Sequence, residues 1–316
     1  MQDRKGIIHM SVIETTHLTK DYGNHKGIFD LSFQVREGEV FGYLGPNGAG
    51  KTTTIRHLMG FLTPDHGNAR ILGRDCRRDS AKIMQNLGYL PAEIAFFDGM
   101  SGLEFLKFMG EMRCLSDTSR RDRLIEQFEL DTRGRIRKMS KGMKQKLGII
   151  CAFMHDPMVL ILDEPTSGLD PLMQRRFADL ILEEKARGKT ILMSSHSFEE
   201  IQRTCDRVGI IRQGDLVAIE DIHILKEKRR KTYSVTFATP EDAAAFQNEN
   251  GFDKITVKET TAKVSILGNA ASLLQRLAKY SVVDLDTESS SLEDVFMQYY
   301  GASDPDGAVR KQEDAQ

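Results

Sequence analysis

A mostly parallel α/β sheet followed by a small α+β domain is the fold class that three observations predict. Val40–Leu44, Met158–Leu162, Thr190–Ser194 and Val208–Arg212 are short apolar runs, the pattern of strands covered on both faces. Helical stretches separate them, and strand–helix alternation through Arg212 implies parallel crossovers. From Leu225 the texture changes to alternating strand-like runs with short helices between them.

Taken in order, Val12 to Val35 alternates apolar and polar residues around a Tyr22-Gly-Asn24 turn, which predicts antiparallel strands. Gly67–Gly73 reads as a short strand with turns on both sides. Ser101 to Glu129 reads as helix, with Leu103, Phe105, Leu106 and Met109 spaced to face a core. Lys226-Glu-Lys-Arg-Arg-Lys231 is a charge run, read as a linker. Beyond it, Tyr233–Phe237, Ile255–Val257 and Val264–Ile266 alternate like strands. Helical stretches fall at Pro240–Glu249, Ala270–Lys279 and Leu292–Tyr300. The expected organisation is a large α/β domain over residues 1–222, a charged linker over 223–231, an α+β domain over 232–301 and a disordered tail over 302–316.

The 316 residues leave room for one large domain and a smaller one. Net charge is −2, from 44 basic and 46 acidic residues, so no global basic field draws the chain to nucleic acid. The N-terminus lacks the long apolar core of a signal peptide, and no uninterrupted apolar stretch reaches bilayer length. The most apolar region, Leu147 to Leu162, is broken by His155, Asp156 and Pro157. Any membrane span is therefore expected from another chain. Cys76, Cys114, Cys151 and Cys205 are scattered without metal-ligand spacing, which fits a reduced compartment.

The chemistry begins at Gly45, Pro46, Asn47, Gly48, Ala49, Gly50, Lys51 and Thr52, a complete G-x-x-x-x-G-K-[ST] phosphate-binding loop. It follows the apolar run Val40–Leu44 and precedes the helix-like Thr53–Met59. Glycines let backbone N–H groups approach a triphosphate, and the helix start adds unpaired donors and its positive dipole end. Lys51 supplies a cation for the β- and γ-phosphates, and the Thr52 hydroxyl is placed to ligand Mg²⁺. Asp163 and Glu164 end the buried strand Met158–Leu162, at the edge where α/β sheets bind ligands. Asp163 is expected to hold Mg²⁺, and Glu164 to orient and deprotonate the attacking water. Standing alone, the pair would read as a solvated helix cap. Met139-Ser-Lys-Gly-Met-Lys-Gln145 opens another helix, with Ser140 as cap and Gly142 permitting close approach. It reads either as a second anion-binding helix start or as a merely capped amphipathic helix. Ser194-Ser-His196 places an imidazole at the same sheet edge, for a site role or a structural one.

The order of these motifs resembles the ATP-binding cassette (ABC) of ABC transporters over about residues 11–220. The fold class the resemblance implies is a P-loop NTPase of ABC type: a mostly parallel sheet core, an antiparallel β subdomain and a helical subdomain at about 92–137, plus the small C-terminal α+β domain. Walker A matches Gly45–Thr52, with Thr53 beside it, and the signature matches Ser140–Gln145. Walker B matches Val159–Glu164, the D-loop Ser167–Asp170 and the switch histidine His196. Tyr22 matches the aromatic that stacks on adenine; alone it would be an ordinary strand tyrosine. The signature departs from Leu-Ser-Gly-Gly-Gln at Lys141 and Met143, while Ser140 and Gly142 are kept. After Gly88-Tyr-Leu-Pro91 the family pattern places Gln, and this chain has Ala92-Glu93. Glu93 is a candidate ligand of Mg²⁺ or water, or else a surface residue.

The resemblance implies ATP and Mg²⁺ as cofactors and a head-to-tail dimer with a second ABC ATPase subunit. Each ATP would lie between one subunit's Walker A and the partner's signature residues Ser140, Gly142 and Met143, with Asp170 close by. It further implies integral membrane permease subunits as partners, and a peripheral place on the cytoplasmic face of the cell membrane. The stretch Ser291–Tyr300 is similar to the end of single-cassette exporter ATPases, which favours export. A soluble ABC ATPase acting on ribosomes or DNA is the alternative; such chains carry two cassettes or a coiled-coil insertion, and neither is present. A GTPase or small-molecule kinase lacks support, because no Asn-Lys-x-Asp motif occurs.

Overall fold

The computed structural model describes residues 11–227, 230–249, 252, 254–267 and 270–288. The chain divides into two units, one reaching Ile222 and the other starting at His223. In the first, β1 (Ser11–Asp21) and β2 (Gly27–Arg36) pair antiparallel around the expected Tyr22 turn. β3 (Val40–Leu44) is buried along its whole length and runs into the phosphate loop and α1 (Lys51–Leu58). β4 (His66–Ile71) pairs with β1 and with the short β5 (Arg74–Asp75), completing a four-stranded antiparallel sheet in the order β2-β1-β4-β5.

α2 (Ser80–Gln85) leads to β6 (Leu87–Leu90). The helix expected from Ser101 to Glu129 is two helices, α3 (Gly102–Met112) and α4 (Ser119–Gln127). A capping box of Ser101 and Glu104 starts α3. Cys114 ends it with a left-handed φ of 52°, and the Asp117 carboxylate then accepts the Ser119 N–H at 2.8 Å to start a new turn. Apolar spacing continues through the break, so periodicity alone conceals it. A 3₁₀ turn at Ile136–Lys138 precedes α5 (Lys141–Phe153), which packs against both helices and β6.

β7 (Val159–Asp163), α6 (Pro171–Ala186), β8 (Thr190–Ser195), α7 (Phe198–Thr204) and β9 (Arg207–Arg212) complete the α/β alternation. β10 (Asp215–Asp221) returns antiparallel to β9 through a tight Gln213-Gly214 turn, both residues at positive φ. The six strands lie in the order β10-β9-β3-β8-β7-β6, and every pair except β10–β9 is parallel. One core lies between this sheet and the antiparallel one. There the Phe33 ring stacks on Phe41 and Tyr43 at 5.5 and 5.4 Å between centroids. α7 packs on β3 and β8 on the opposite side, where Ile201 is fully buried.

Where a charged linker was expected over residues 223–231, α8 (Ile222–Glu227) is helical and β11 begins at Arg230. Ile222 and Leu225 of this helix are buried, a pattern that a charge count misses. The second unit comprises β11 (Arg230–Phe237), α9 (Pro240–Gln247), β12 (Lys254–Lys258), β13 (Thr261–Leu267), α10 (Ala271–Leu277) and β14 (Val282–Glu288). Its sheet is antiparallel in the order β12-β13-β11-β14, the split β-α-β arrangement. Val235, Phe237, Phe246, Val264 and Leu273 form its core. β14 escapes sequence reading because Asp284, Asp286 and Glu288 dilute its apolar signal. The expected helix Leu292–Tyr300 and the tail from Ala302 lie outside the described residues.

Gly42 in β3 sets the seat of α7, since a Cβ there would meet Ile201 at 2.8 Å and the Cys205 sulfur at 3.1 Å. Gly42→Val is expected to destabilise the first unit by about 1–3 kcal/mol through overpacking, seen as a lowered midpoint in thermal denaturation. An unchanged midpoint would contradict that packing.

Candidate functional site

The site is built where β3, β7 and β8 end side by side. Their parallel register sets Leu44 opposite Ser195 and Asp163 opposite Ser194, so the loops that follow emerge at one edge. The phosphate loop leaves β3 under tight constraint. A Cβ on Gly45 would stand 2.4 Å from the Ile211 carbonyl oxygen, and Gly50 caps α1 at a φ of 109°. Lys51, 5% exposed, folds beneath the loop and donates to the carbonyls of Gly45 at 2.6 Å and Pro46 at 3.2 Å. Its ammonium also lies 3.0 Å from Glu164 Oε1.

Asp163 is fully buried. Ser194 Oγ donates to its Oδ1 at 2.5 Å, while Oδ2 has no hydrogen-bond partner. Burial raises the Asp163 pKa above the usual carboxylate range. The hydroxyls of Ser194 and Thr52 oppose the shift, and the neighbouring Glu164 charge adds to it. Such a carboxylate, with one oxygen orphaned beside the Thr52 hydroxyl, suits a hard cation. Among the described residues no group of three or more His, Cys, Asp or Glu stands together as a metal cluster.

Glu164 sits at a left-handed φ of 49°, and its N–H donates to Ser194 Oγ at 3.0 Å. That turn aims the carboxylate between two partners: Lys51 at Oε1, and His196 Nδ1, 2.6 Å from Oε2. The arrangement can hold an anionic phosphate chain against backbone donors and Lys51, with a carboxylate base and an imidazole beside it.

A cavity of about 550 Å³ adjoins these groups. Tyr22, Pro46, Asn47, Gly48, Gly50, Lys51, Thr52, Thr53 and Glu164 line it, joined by Ala92. Tyr22, 55% exposed, presents its ring at the rim. His25 and Gln213 also line the cavity, two residues that sequence reading missed because each sits in a turn without a motif. Ala49 is buried within the loop. Glu93 is exposed and does not line the cavity, although its neighbour Ala92 does.

The second motif group is elsewhere on the first unit. Ser140 caps α5 by accepting the Met143 N–H at 3.2 Å, and Asp170 caps α6 by accepting the Met173 N–H at 3.0 Å. Gly142 is obligatory by contact, since a Cβ would lie 2.8 Å from the Gly168 carbonyl oxygen. None of Ser140, Gly142, Met143 and Asp170 lines the phosphate-loop cavity. Gln145, buried on α5, joins the two groups by donating to the Pro165 carbonyl at 2.7 Å. Gln145 and Ser194 fall inside motifs read from the sequence, but neither takes a role there, because amide and hydroxyl side chains carry no spacing signal of their own.

A phosphate loop feeding a parallel sheet, with Asp163 and Glu164 at the next strand's end, defines a P-loop nucleoside-triphosphatase. A family model described as ABC transporter matches residues 28–167. YhcH of Bacillus subtilis (strain 168), an uncharacterized ABC transporter ATP-binding protein, is 33% identical over 302 residues, covering 92% of this chain and 96% of its own. BcrA of Bacillus licheniformis, a bacitracin transport ATP-binding protein, is 34% identical over 300 residues, covering 92% and 98%. A solved ATP-binding subunit of an ABC transporter matches at a TM-score of 0.63 with 30% identity, over 68% of this chain and 92% of that one. The chain belongs to the ABC transporter ATP-binding proteins, and it binds and hydrolyses ATP.

Ser194→Ala removes the hydroxyl that holds both Asp163 and the Glu164 backbone. Steady-state ATPase activity is expected to fall about 10–100-fold with the fold intact. Wild-type turnover would show that the hydroxyl does not organise the site.

Proposed function

We propose that this chain is the energy-coupling subunit of an ABC exporter, working as a head-to-tail dimer that sandwiches two ATP molecules. One observation carries the reading: Ser140, Gly142 and Asp170 lie apart from the cavity that Lys51 and Thr52 line. A second capped helix start away from the first phosphate site is explained when it meets the nucleotide of another copy. The likeness to BcrA, named for bacitracin transport, extends over 92% of this chain and supports export.

In this mechanism the phosphate loop and Lys51 bind the β- and γ-phosphates, and Tyr22 stacks on the adenine. Thr52 and the unpartnered Asp163 Oδ2 would hold Mg²⁺, which would supply charge neutralisation to the phosphates. Glu164 orients the attacking water and takes its proton, and His196 steadies the carboxylate from its other side. A γ-phosphate competes with Glu164 for the Lys51 ammonium, which frees the carboxylate to face water. Binding closes the dimer and hydrolysis reopens it.

No helix among the described residues is long and apolar enough to cross a membrane, so separate permease subunits provide the path. Their docking groove lies between α2 and the end of α3, a cavity of about 560 Å³ lined by Met84, Met109, Met112, Arg113, Cys114 and His155. Burial and the nearby Arg113 push the His155 pKa down to about 4, so the imidazole is neutral near pH 7. Three flexible thioethers suit an amphipathic cytoplasmic helix. In this reading the protein sits peripherally on the cytoplasmic face of the cell membrane, with no specific nucleic-acid partner.

Glu164→Gln is expected to cut ATP turnover at least about a hundredfold while ATP binding persists. Size-exclusion chromatography with ATP should then show an accumulated dimer; near-normal hydrolysis would remove Glu164 as the base. Ser140→Arg should abolish hydrolysis while nucleotide binding to the single subunit, followed by a fluorescent ATP analogue, survives. Full activity of that variant as a monomer would rule out the shared site.

A further inference from the structure

Beside His196, on the side away from the phosphate loop, a second cavity of about 550 Å³ opens between two loops and two helices. Thr166 and Gly168 line it from the loop after Glu164, Gln174 and Arg175 from α6, and His196 and Arg203 from the β8–α7 side. Glu200, on the first turn of α7, reaches into this junction. Ser195 Oγ donates to its Oε2 at 2.6 Å, and the Thr166 side chain engages the same carboxyl from the opposite loop. Its other oxygen, Oε1, is buried without a hydrogen-bond partner. Ser195 Oγ also accepts the Ser197 N–H at 2.9 Å, so the hydroxyl that Glu200 holds fixes the backbone on both sides of His196.

From this geometry we infer that Glu200 is a positioning residue for ATP hydrolysis, its carboxyl clamping the loop that carries His196 to the loop that follows Glu164. The clamp sets where the imidazole meets the Glu164 carboxylate, although Glu200 itself does not line the phosphate-loop cavity. Burial pushes its pKa up to about 7, with the bonds from Ser195 and Thr166 opposing the shift. The charged groups around it are Glu164 after β7, His196 after β8, Arg175 on α6, and Glu199 and Arg203 on α7. Arg203 is engaged by Asp179 at 2.9 Å. The ionised carboxylate accepts from both hydroxyls, whereas the protonated acid gives up part of its acceptor capacity. The clamp therefore tightens as pH rises through neutrality. The inference rests on ATP hydrolysis alone and holds whatever the chain exports or pairs with.

The test compares wild type and Glu200→Gln by steady-state ATPase assay from pH 6 to 9. For Glu200→Gln, kcat is expected to fall about tenfold, with KM for ATP changed less than about twofold. The rise of wild-type kcat through about pH 7 should flatten in the variant, while any contribution from His196 is common to both. Thr166→Val and the double variant complete a cycle, in which the two substitutions should be clearly non-additive. Superimposable pH profiles, or fully additive effects, would overturn the assignment. A loss of activity accompanied only by a lowered melting temperature, with the pH profile unchanged, would do so as well.

Discussion

The parallel register of β3, β8 and β7 is the constraint on which the rest of the site depends. It puts the ends of three strands at one edge, and each end delivers a different chemical tool. β3 delivers the phosphate loop, β7 the two carboxylates, and β8 the hydroxyls and imidazole that orient them. Ser194 shows the economy of the arrangement, because one hydroxyl donates to Asp163 and accepts from the backbone of Glu164. A strand shifted by one residue would turn each of its side chains to the opposite face of the sheet and break these contacts.

The charges at this edge are held in tension. Lys51 is almost wholly buried, and a buried ammonium needs partners or it costs several kcal/mol. Two loop carbonyls and Glu164 supply them. The same carboxylate reaches His196, so the base proposed for hydrolysis is shared between a cation and an imidazole. Burial raises the Asp163 pKa and leaves it an unused oxygen, the feature on which the proposed cation site rests. In the proposed mechanism a phosphate chain would alter the partners of Lys51 first.

The signature group obeys a different logic. Its helix start is capped by its own Ser140, and the close approach of Gly142 to Gly168 ties α5 to the loop after Glu164. Gln145 reinforces that tie through the Pro165 carbonyl. Within one chain, the surface proposed to meet a partner's nucleotide is thus bonded to the backbone that carries the carboxylate proposed as the chain's own base. The Glu200 clamp lies on the other side of the same loop. Lysine at position 141 is accommodated because its aliphatic stem packs over Gly168, with carbon atoms about 3 Å from where a Cβ there would stand.

The sequence by itself determined the phosphate loop, the buried strands, the carboxylate pair and the order of the motifs, because each is dictated by local backbone demands or by apolar periodicity. It determined the strand–helix alternation and hence the parallel sheet, and also the strands β11, β12 and β13 of the second unit. Only the tertiary structure decided that α3 and α4 are separate helices, since the break at Cys114 leaves the apolar spacing intact. Tertiary structure alone showed that β10 and β14 join sheets, because strand pairing compensates for weak local preference. It also left Glu93 outside the lining of the phosphate-loop cavity, and it gave Ser194, Gln145 and Glu200 their partners. A hydroxyl, an amide or a lone carboxyl acquires meaning from what the fold sets within about 3 Å of it, and linear spacing does not encode that distance.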